Sequence, residues 1–231
     1  MSSTETPISH EQYLDAIGIQ RWRSRSDILD QEPLADADVT EVIADQDGEW
    51  WSLSDEVAAC RQCELHQSRT QTVFGVGNQH ADWLIIGEAP GADEDREGEP
   101  FVGRAGKLLT QMILALGYER QQVYIANILK CRPPNNRDPL PEEVRSCESY
   151  LKRQIALVRP KIILAVGRIA AQNLLKTDAK IGAMRGRSYQ YGEQTIPVVV
   201  TYHPAYLLRS PREKVKAWQD LLMAKRIFQQ T

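Results

Sequence analysis

Four near-continuous apolar runs recur along the chain, and each one ends in polar or glycine residues. They are DWLIIGEAPG (residues 82–91), QQVYIANILKC (121–131), KIILAVGR (161–168) and TIPVVVTYHP (195–204). Runs without polar alternation are typical of strands that are buried on both faces, and such strands are usually parallel. The pattern therefore predicts a central, mostly parallel sheet of four strands.

Stretches with helical spacing of apolar residues separate these runs. They are GRAGKLLTQMILALG (103–117), LPEEVRSCESYLKRQIALV (140–158) and GRIAAQNLLK (167–176), and residues 212–228 follow as a last helix. Parallel neighbours need crossover connections, so strands that alternate with helices indicate an α/β fold with helices on both faces of the sheet. We expect a three-layer αβα sandwich.

Polar residues follow each of the four predicted strands. Residues 88–91 follow the first, Asn127 lies near the end of the second, Arg168 follows the third, and His203 follows the fourth. Ligands of open α/β sheets bind beyond the carboxyl ends of the strands. The four strands are therefore expected to deliver these groups to one crevice.

The charge is distributed unevenly. The chain has 231 residues, 42% of them hydrophobic, and a net charge of -3. Residues 27–56 contain eleven acidic residues and no Lys or Arg, whereas residues 57–231 carry a net charge of +8. We expect residues 1–56 to be an N-terminal extension, made of a short apolar peptide and an acidic flexible linker, and residues 57–231 to be a basic folded domain that suits a polyanion.

No apolar run approaches the length of a membrane span, and the first residues lack the pattern of a secretory leader, so a cytoplasmic protein is expected. In such a compartment, a close cysteine pair indicates a metal or redox site. Cys60 and Cys63 form a CxxC pair, and Cys131 and Cys147 complete a set of four thiols. Their spacing does not distinguish zinc from an iron-sulfur cluster.

Three long motifs carry a family resemblance. GEAPGADEDREGEPFVGRAG (87–106), YIANILKCRPPNNRDPLP (124–141) and TYHPAYLLR (201–209), together with the four cysteines in that order, resemble the family 4 uracil-DNA glycosylases from about residue 57 to the C-terminus. The resemblance implies the uracil-DNA glycosylase fold, a [4Fe-4S] cluster held by the four cysteines, and hydrolysis of the N-glycosidic bond of uracil flipped out of DNA. It implies a monofunctional enzyme that leaves an abasic site. We expect a monomer.

The resemblance also implies individual roles at the uracil site. Asn127 would pair with the edge of uracil, Phe101 would stack on its ring, and His203, as a neutral imidazole, would donate to O2 of the leaving base. Of the two implicated carboxylates, Glu94 is expected to activate water and Glu88 to shape the pocket. Gly87 and Ala89 complete the uracil-binding set, and Ala89 stands where some other uracil glycosylase families place a catalytic aspartate.

Further residues are expected to contact DNA. Leu207 and Leu208 would form a wedge that fills the gap left by the flipped base, although either could instead belong to the core, and Arg209 would contact phosphate. The remaining cations are Arg168 and, in a loop that the cluster would hold in place, Arg132 and Arg137.

Two alternatives remain: a relative that traps uracil covalently, and a non-catalytic iron-sulfur module that binds DNA within a repair or replication assembly. A separate resemblance concerns residues 8–26, where QYLDAIGIQRWRSR is similar to the amino-terminal peptide of the psi subunit of the bacterial clamp loader. It implies that this peptide docks on a clamp-loader subunit while the acidic stretch acts as a tether. The alternative is that the peptide packs onto the catalytic domain.

Overall fold

The computed structural model describes residues 37–193 and 195–231, with side chains from residue 48 onward. Residues Asp45–Thr231 form one compact unit. The peptide at residues 8–26 and the first part of the acidic stretch lie outside the described residues.

The described residues form a six-stranded sheet with the order β1-β3-β2-β4-β6-β5. The strands are β1 (Val76–Gly77), β2 (Trp83–Gly87), β3 (Tyr124–Asn127), β4 (Ile162–Val166), β5 (Ser188–Tyr191) and β6 (Ile196–Thr201). The four central strands are parallel and correspond to the four apolar runs, so the predicted fold class is confirmed. The predicted number of strands was too low, because the two antiparallel edge strands are short and carry no apolar run.

Helices cover both faces of the sheet. The α-helices are α1 (Ala37–Ala59), α2 (Ala92–Glu97), α3 (Arg104–Leu116), α4 (Pro141–Val158), α5 (Arg168–Leu175), α6 (Ile181–Met184), α7 (Pro204–Arg209) and α8 (Lys214–Phe228). Alternate residues of the central strands point to opposite faces: Leu84 and Ile86 pack with α4, α5 and α6, whereas Trp83 and Ile85 pack with α3, α7 and α8. This arrangement is the predicted three-layer sandwich.

The end of α1 belongs to the packed body. Trp50, Leu53 and Val57 are buried at helical spacing, and the Trp50 ring lies 5.1 Å from the ring of Tyr124. The expected flexible linker, which ended at residue 56, therefore does not describe Trp50 and Leu53. Burial of their apolar face offsets the conformational entropy that the segment loses on ordering. The acidic composition alone had suggested that this loss would not be offset.

The register of the parallel strands aligns their carboxyl ends. Gly87 of β2 is paired with Asn127 of β3, and Val166 of β4 is paired with Thr201 of β6. The residues that follow these strands consequently emerge at one edge of the sheet. None of the helices in the described part of the chain combines the length and the apolar character that a membrane crossing requires.

Candidate active site

A cleft of about 730 Å³ lies at the carboxyl ends of the parallel strands. It brings together the predicted residues Glu88, Ala89, Glu94, Phe101, Asn127, Arg137, Arg168, His203 and Arg209. Residues that are far apart in sequence therefore lie in one cleft, at the edge of the sheet where the alternation of strands and helices predicted it. Gly87, Arg132, Leu207 and Leu208 are not among the residues that line this cleft.

Asn127 places an unpaired amide oxygen in the cleft. The side chain is 2% exposed, and Oδ1 has no hydrogen-bond partner among the described residues. A buried acceptor without a partner costs free energy, and such a cost is expected where a ligand supplies the missing donor. Gly87 makes room for this arrangement, because a Cβ atom there would lie 2.4 Å from Asn127 Oδ1 and 2.5 Å from the Phe101 ring.

Phe101 lies beside Asn127 in a strained backbone conformation. Its φ angle is 56°, in the left-handed region that is costly for an aromatic residue. A Cβ at Gly106 would overlap the carbonyl of Phe101, so the first turn of α3 accepts this conformation only with glycine there. Phe101 is only 7% exposed. It lines the cleft, with its centroid 5.7 Å from that of His203.

His203 is held as a neutral imidazole with one defined tautomer. It is the N-cap residue of α7, and its Nδ1 accepts a hydrogen bond from the backbone N–H of Ala205 at 3.1 Å. Nδ1 therefore carries no proton, and the proton of the neutral ring lies on Nε2. Burial, reinforced by the Arg209 charge, lowers the pKa of His203 to about 4. At neutral pH, Nε2–H is available as a donor.

Glu88 is a half-buried carboxylate at the end of β2. Burial raises its pKa to about 7, with a further contribution from Asp138, while Arg168 acts in the opposite direction. A carboxylate whose pKa lies near neutrality can both hold and release a proton at physiological pH, which is the property that a general base requires.

Glu94 has a different environment, although it also lines the cleft. Its Oε2 accepts the N–H of Gly91 at 3.0 Å, and its Oε1 accepts the N–H groups of Val102 and Gly103 at 3.1 and 3.2 Å. The carboxylate thus joins the start of α2 to the start of α3. This geometry does not favour the expected role of Glu94 in water activation, because both oxygens already accept backbone hydrogen bonds.

Two of the arginines that line the cleft are compensated by carboxylates. Arg168 Nη2 lies 2.5 Å from Asp138 Oδ2, and Arg137 makes a two-pronged pair with the buried Glu143, with its closer contact at 2.6 Å. Arg209, by contrast, is exposed at the rim. The geometry therefore favours Arg209 as the cation for phosphate and gives Arg137 a structural contact.

The predicted wedge is divided between the core and the surface. Leu207 is 1% exposed and packs in the core with α3 and α8, whereas Leu208 is 37% exposed. Of the two alternatives left open for these leucines, the core therefore applies to Leu207, whose side chain points towards α3 and α8, whereas Leu208 is rotated away from them along the helix. Arg132, outside the cleft, donates from Nε to Asn136 Oδ1 at 2.8 Å.

A second, small cavity, the cysteine cavity, is lined by all four cysteines. Burial raises the pKa values of Cys63, Cys131 and Cys147, so thiolates there need a positive charge nearby. Arg69 supplies one, with Nη1 at 3.0 Å from Cys131 Sγ. Among residues 48–193 and 195–231, no group of three or more His, Cys, Asp or Glu side chains is arranged to hold a metal ion. Four thiols around one cavity are nevertheless the type of donor set that zinc sites and iron-sulfur clusters use.

Comparisons with known proteins match this geometry. The family model described as the uracil DNA glycosylase superfamily matches residues 74–222. The chain belongs to this superfamily.

Type-4 uracil-DNA glycosylases are similar to this chain over most of their own length. The protein from Archaeoglobus fulgidus is 49% identical over 164 residues, which are 68% of this chain and 82% of the relative. That from Sulfurisphaera tokodaii is 49% identical over 166 residues, covering 69% and 76%. That from Thermotoga maritima is 40% identical over 178 residues, covering 75% and 91%. The family resemblance found in the sequence is thereby confirmed.

The uracil-DNA glycosylase cleft also contains aromatic residues that the sequence analysis did not select. Tyr202 and Tyr206 line it with their ring centroids 5.0 Å apart. The guanidinium of Arg185 lies 4.3 Å from the Tyr202 centroid and is paired with Asp220 at 2.7 Å. Both tyrosines flank the His-Pro pair within TYHPAYLLR, so their position in that motif was the available signal.

Proposed function

We propose that this chain is a monofunctional uracil-DNA glycosylase that flips uracil out of DNA, hydrolyses its N-glycosidic bond and leaves an abasic site. The observation that carries the proposal is the buried Asn127 carboxamide, whose Oδ1 has no hydrogen-bond partner in the part of the chain that the structure describes. The membership of the superfamily and the similarity to type-4 enzymes support it.

Asn127 reads the base by hydrogen bonding. Its Oδ1 accepts N3–H of uracil, and its amino group donates to O4. Cytosine presents a donor where uracil presents O4, so a carboxamide held in one orientation leaves buried polar groups unpaired against cytosine, a mismatch that can discriminate by about 10⁴-fold. The Phe101 ring stacks on the face of the base, and such stacking stabilises the bound base by about 1–3 kcal/mol.

His203 stabilises the departing base. As the bond between the sugar and the base breaks, negative charge develops on O2 of uracil, and a preorganised N–H donor lowers the energy of that charge. The tautomer that the Ala205 N–H imposes leaves Nε2–H free for this task. Because the ring is neutral, it donates a hydrogen bond without transferring its proton.

Glu88 is assigned the activation of water, in place of Glu94. The carboxylate is half-buried in the cleft and has a raised pKa, whereas the oxygens of Glu94 accept three backbone N–H groups. An ionised carboxylate beside the cleft also stabilises the positive charge that develops on the sugar. Glu94 then maintains the shape of the loop that carries Phe101.

On the DNA side, Arg209 contacts a phosphate and Leu208 enters the base stack as a single wedge. Both are exposed on α7, whose N-cap residue is His203. Since catalytic and DNA-contacting groups belong to one short helix, docking of the backbone places His203 directly.

The test of base reading is Asn127→Asp, with Asn135→Asp as the control on an exposed loop. An ionised aspartate accepts hydrogen bonds but does not donate to O4, so single-turnover excision of uracil from an oligonucleotide should fall by about 10² or more. A folded Asn127→Asp protein that excises uracil at the unsubstituted rate would contradict the assignment.

The four cysteines are proposed to hold a [4Fe-4S] cluster. Cys60, Cys63, Cys131 and Cys147 line one cavity, and the positive charges around them compensate thiolates. Hydrolysis of a glycosidic bond needs no electron transfer, so a cluster held by these cysteines would be structural: it would tie the segment after α1 to the segment between β3 and α4 and to α4 itself.

The cluster is tested by metal and sulfide analysis of protein prepared without oxygen. Cys147→Ala should abolish the visible absorbance and lower Tm, whereas Ser146→Ala, at a residue that lines the same cavity, should retain iron. Zinc without iron in the unsubstituted protein would refute the proposed cluster.

A further inference from the structure

Lys130 is fully buried between the cysteine cavity and the base-reading residue. It is 1% exposed, and its Nζ donates to the backbone carbonyl of Asn127 at 2.9 Å and to Gln154 Oε1 at 2.6 Å. Its own backbone N–H donates to Cys147 Sγ at 3.3 Å. One residue thus contacts both the cysteine cavity and the end of β3.

Gln154 anchors this amine to the rest of the fold. The side chain is 0% exposed, and its Nε2 donates to the carbonyl of Phe74 at 2.9 Å and lies 3.2 Å from the Tyr124 hydroxyl. Tyr124 belongs to β3, the strand that ends at Asn127. The Lys130 amine therefore belongs to a hydrogen-bond network in which Gln154 is itself fixed by Phe74 and Tyr124.

A buried ammonium is costly, and a methionine or leucine would fill the same space without that cost. The amine is compensated by two oxygen acceptors, and one of them is the carbonyl of the residue whose side chain enters the cleft. A carboxamide must be held in one orientation to distinguish uracil from cytosine, and a displacement of about 1 Å is enough to reduce catalysis strongly.

We propose that Lys130 is a positioning residue for base recognition: its ammonium fixes the Asn127 peptide and thereby the carboxamide that reads uracil. This inference rests on the proposed function of Asn127. It also makes the base reader and the cysteine cavity parts of one connected structure, because the same residue contacts Cys147.

The experiment is a double-mutant cycle between Lys130→Met and Asn127→Ala, with Lys152→Met, on the exposed surface of α4, as the control. Single-turnover excision is measured with saturating enzyme, together with DNA affinity, inhibition by free uracil, iron content and Tm. Lys130→Met should lower the excision rate by about tenfold to a hundredfold, as the loss of one charge-assisted hydrogen bond does, and should weaken uracil inhibition with unchanged DNA affinity.

The decisive comparison is between the effect of Lys130→Met in the protein that retains Asn127 and its effect in the Asn127→Ala protein. If Lys130 acts through Asn127, Lys130→Met should have little further effect on the rate or on uracil inhibition once Asn127 is alanine. An equal loss in both backgrounds, or no loss in the unsubstituted background, would overturn the inference.

If Lys130→Met does not fold, Gln154→Met, which removes the second acceptor, is analysed in the same cycle and by the same criteria. Failure of the proposed function appears differently, as the absence of excision by the unsubstituted protein. In that case, inhibition is replaced by direct binding of free uracil, and equal losses of affinity in both backgrounds overturn the inference.

Discussion

The raised pKa of Glu88 leads to a quantitative expectation for the pH dependence of excision. If the ionised carboxylate activates water, the rate follows its ionised fraction. With a pKa of about 7, that fraction rises from about 9% at pH 6 to about 91% at pH 8, a change of about tenfold. A carboxylate with its ordinary pKa of 4.5 is almost fully ionised throughout this range, and the rate would then be flat.

The assay is single-turnover excision from a uracil-containing oligonucleotide at saturating enzyme, so that DNA binding does not contribute to the profile. Glu88→Gln should lower the rate and remove the inflection near pH 7. Glu99→Gln, at an exposed residue of the loop before Phe101, should leave the excision rate and its inflection near pH 7 unchanged. A flat profile between about pH 6 and pH 8 for the unsubstituted protein would refute the reasoning.

The same shift has a consequence for stability. Because the pKa of Glu88 is higher in the folded protein than the ordinary value of 4.5, the folded state retains a proton that the unfolded chain releases between pH 4.5 and about 7. The contribution of this group to the free energy of unfolding therefore declines as pH rises through that window. Glu88→Gln should remove this decline, which denaturant titrations at several pH values would detect.

Three further predictions concern other parts of the chain. His203→Ala should lower the single-turnover rate by about 10² or more, with a much smaller change in DNA affinity; equal losses of rate and affinity would indicate a DNA-positioning role instead. Leu207→Ala should cost about 2–5 kcal/mol in denaturant unfolding, whereas Leu208→Ala should leave stability nearly unchanged and slow excision from duplex more than from single-stranded DNA. A peptide of residues 8–26 is proposed to bind a clamp-loader subunit, and a pull-down that retains no such subunit would contradict the docking hypothesis.

The parallel core of this fold was predictable because its signal is strong and local. An apolar run such as KIILAVGR has few alternatives to a buried strand, and the residue that follows each run is fixed in position by the fold class. Asn127 and His203 were found in this way, and their meeting in one cleft required only the parallel register.

Other features depended on contacts that a sequence does not display. Leu207 and Leu208 are adjacent and chemically identical, so only the packing of α7 distinguishes the core residue from the exposed one. The two candidate carboxylates differ in the same way, because the backbone donors that surround Glu94 belong to loops whose conformation is set by the whole structure. Lys130 carried a signal that was not used: a charged residue inside the apolar run QQVYIANILKC must find buried acceptors.

The construction of the cleft from four separate strand ends affects how the enzyme is made. Successive members of the set Glu88, Asn127, Arg168 and His203 are 35 to 41 residues apart in sequence, and the pairing of β2, β3, β4 and β6 is entirely non-local. Such contacts are slow to form, since the entropy cost of loop closure comes before the contacts can stabilise the chain. During synthesis from the N-terminus, the chain therefore lacks a complete uracil pocket until β6 has joined the sheet and α7 has packed against it. A product truncated before β6 would lack His203, and with it the proposed donor to the departing base.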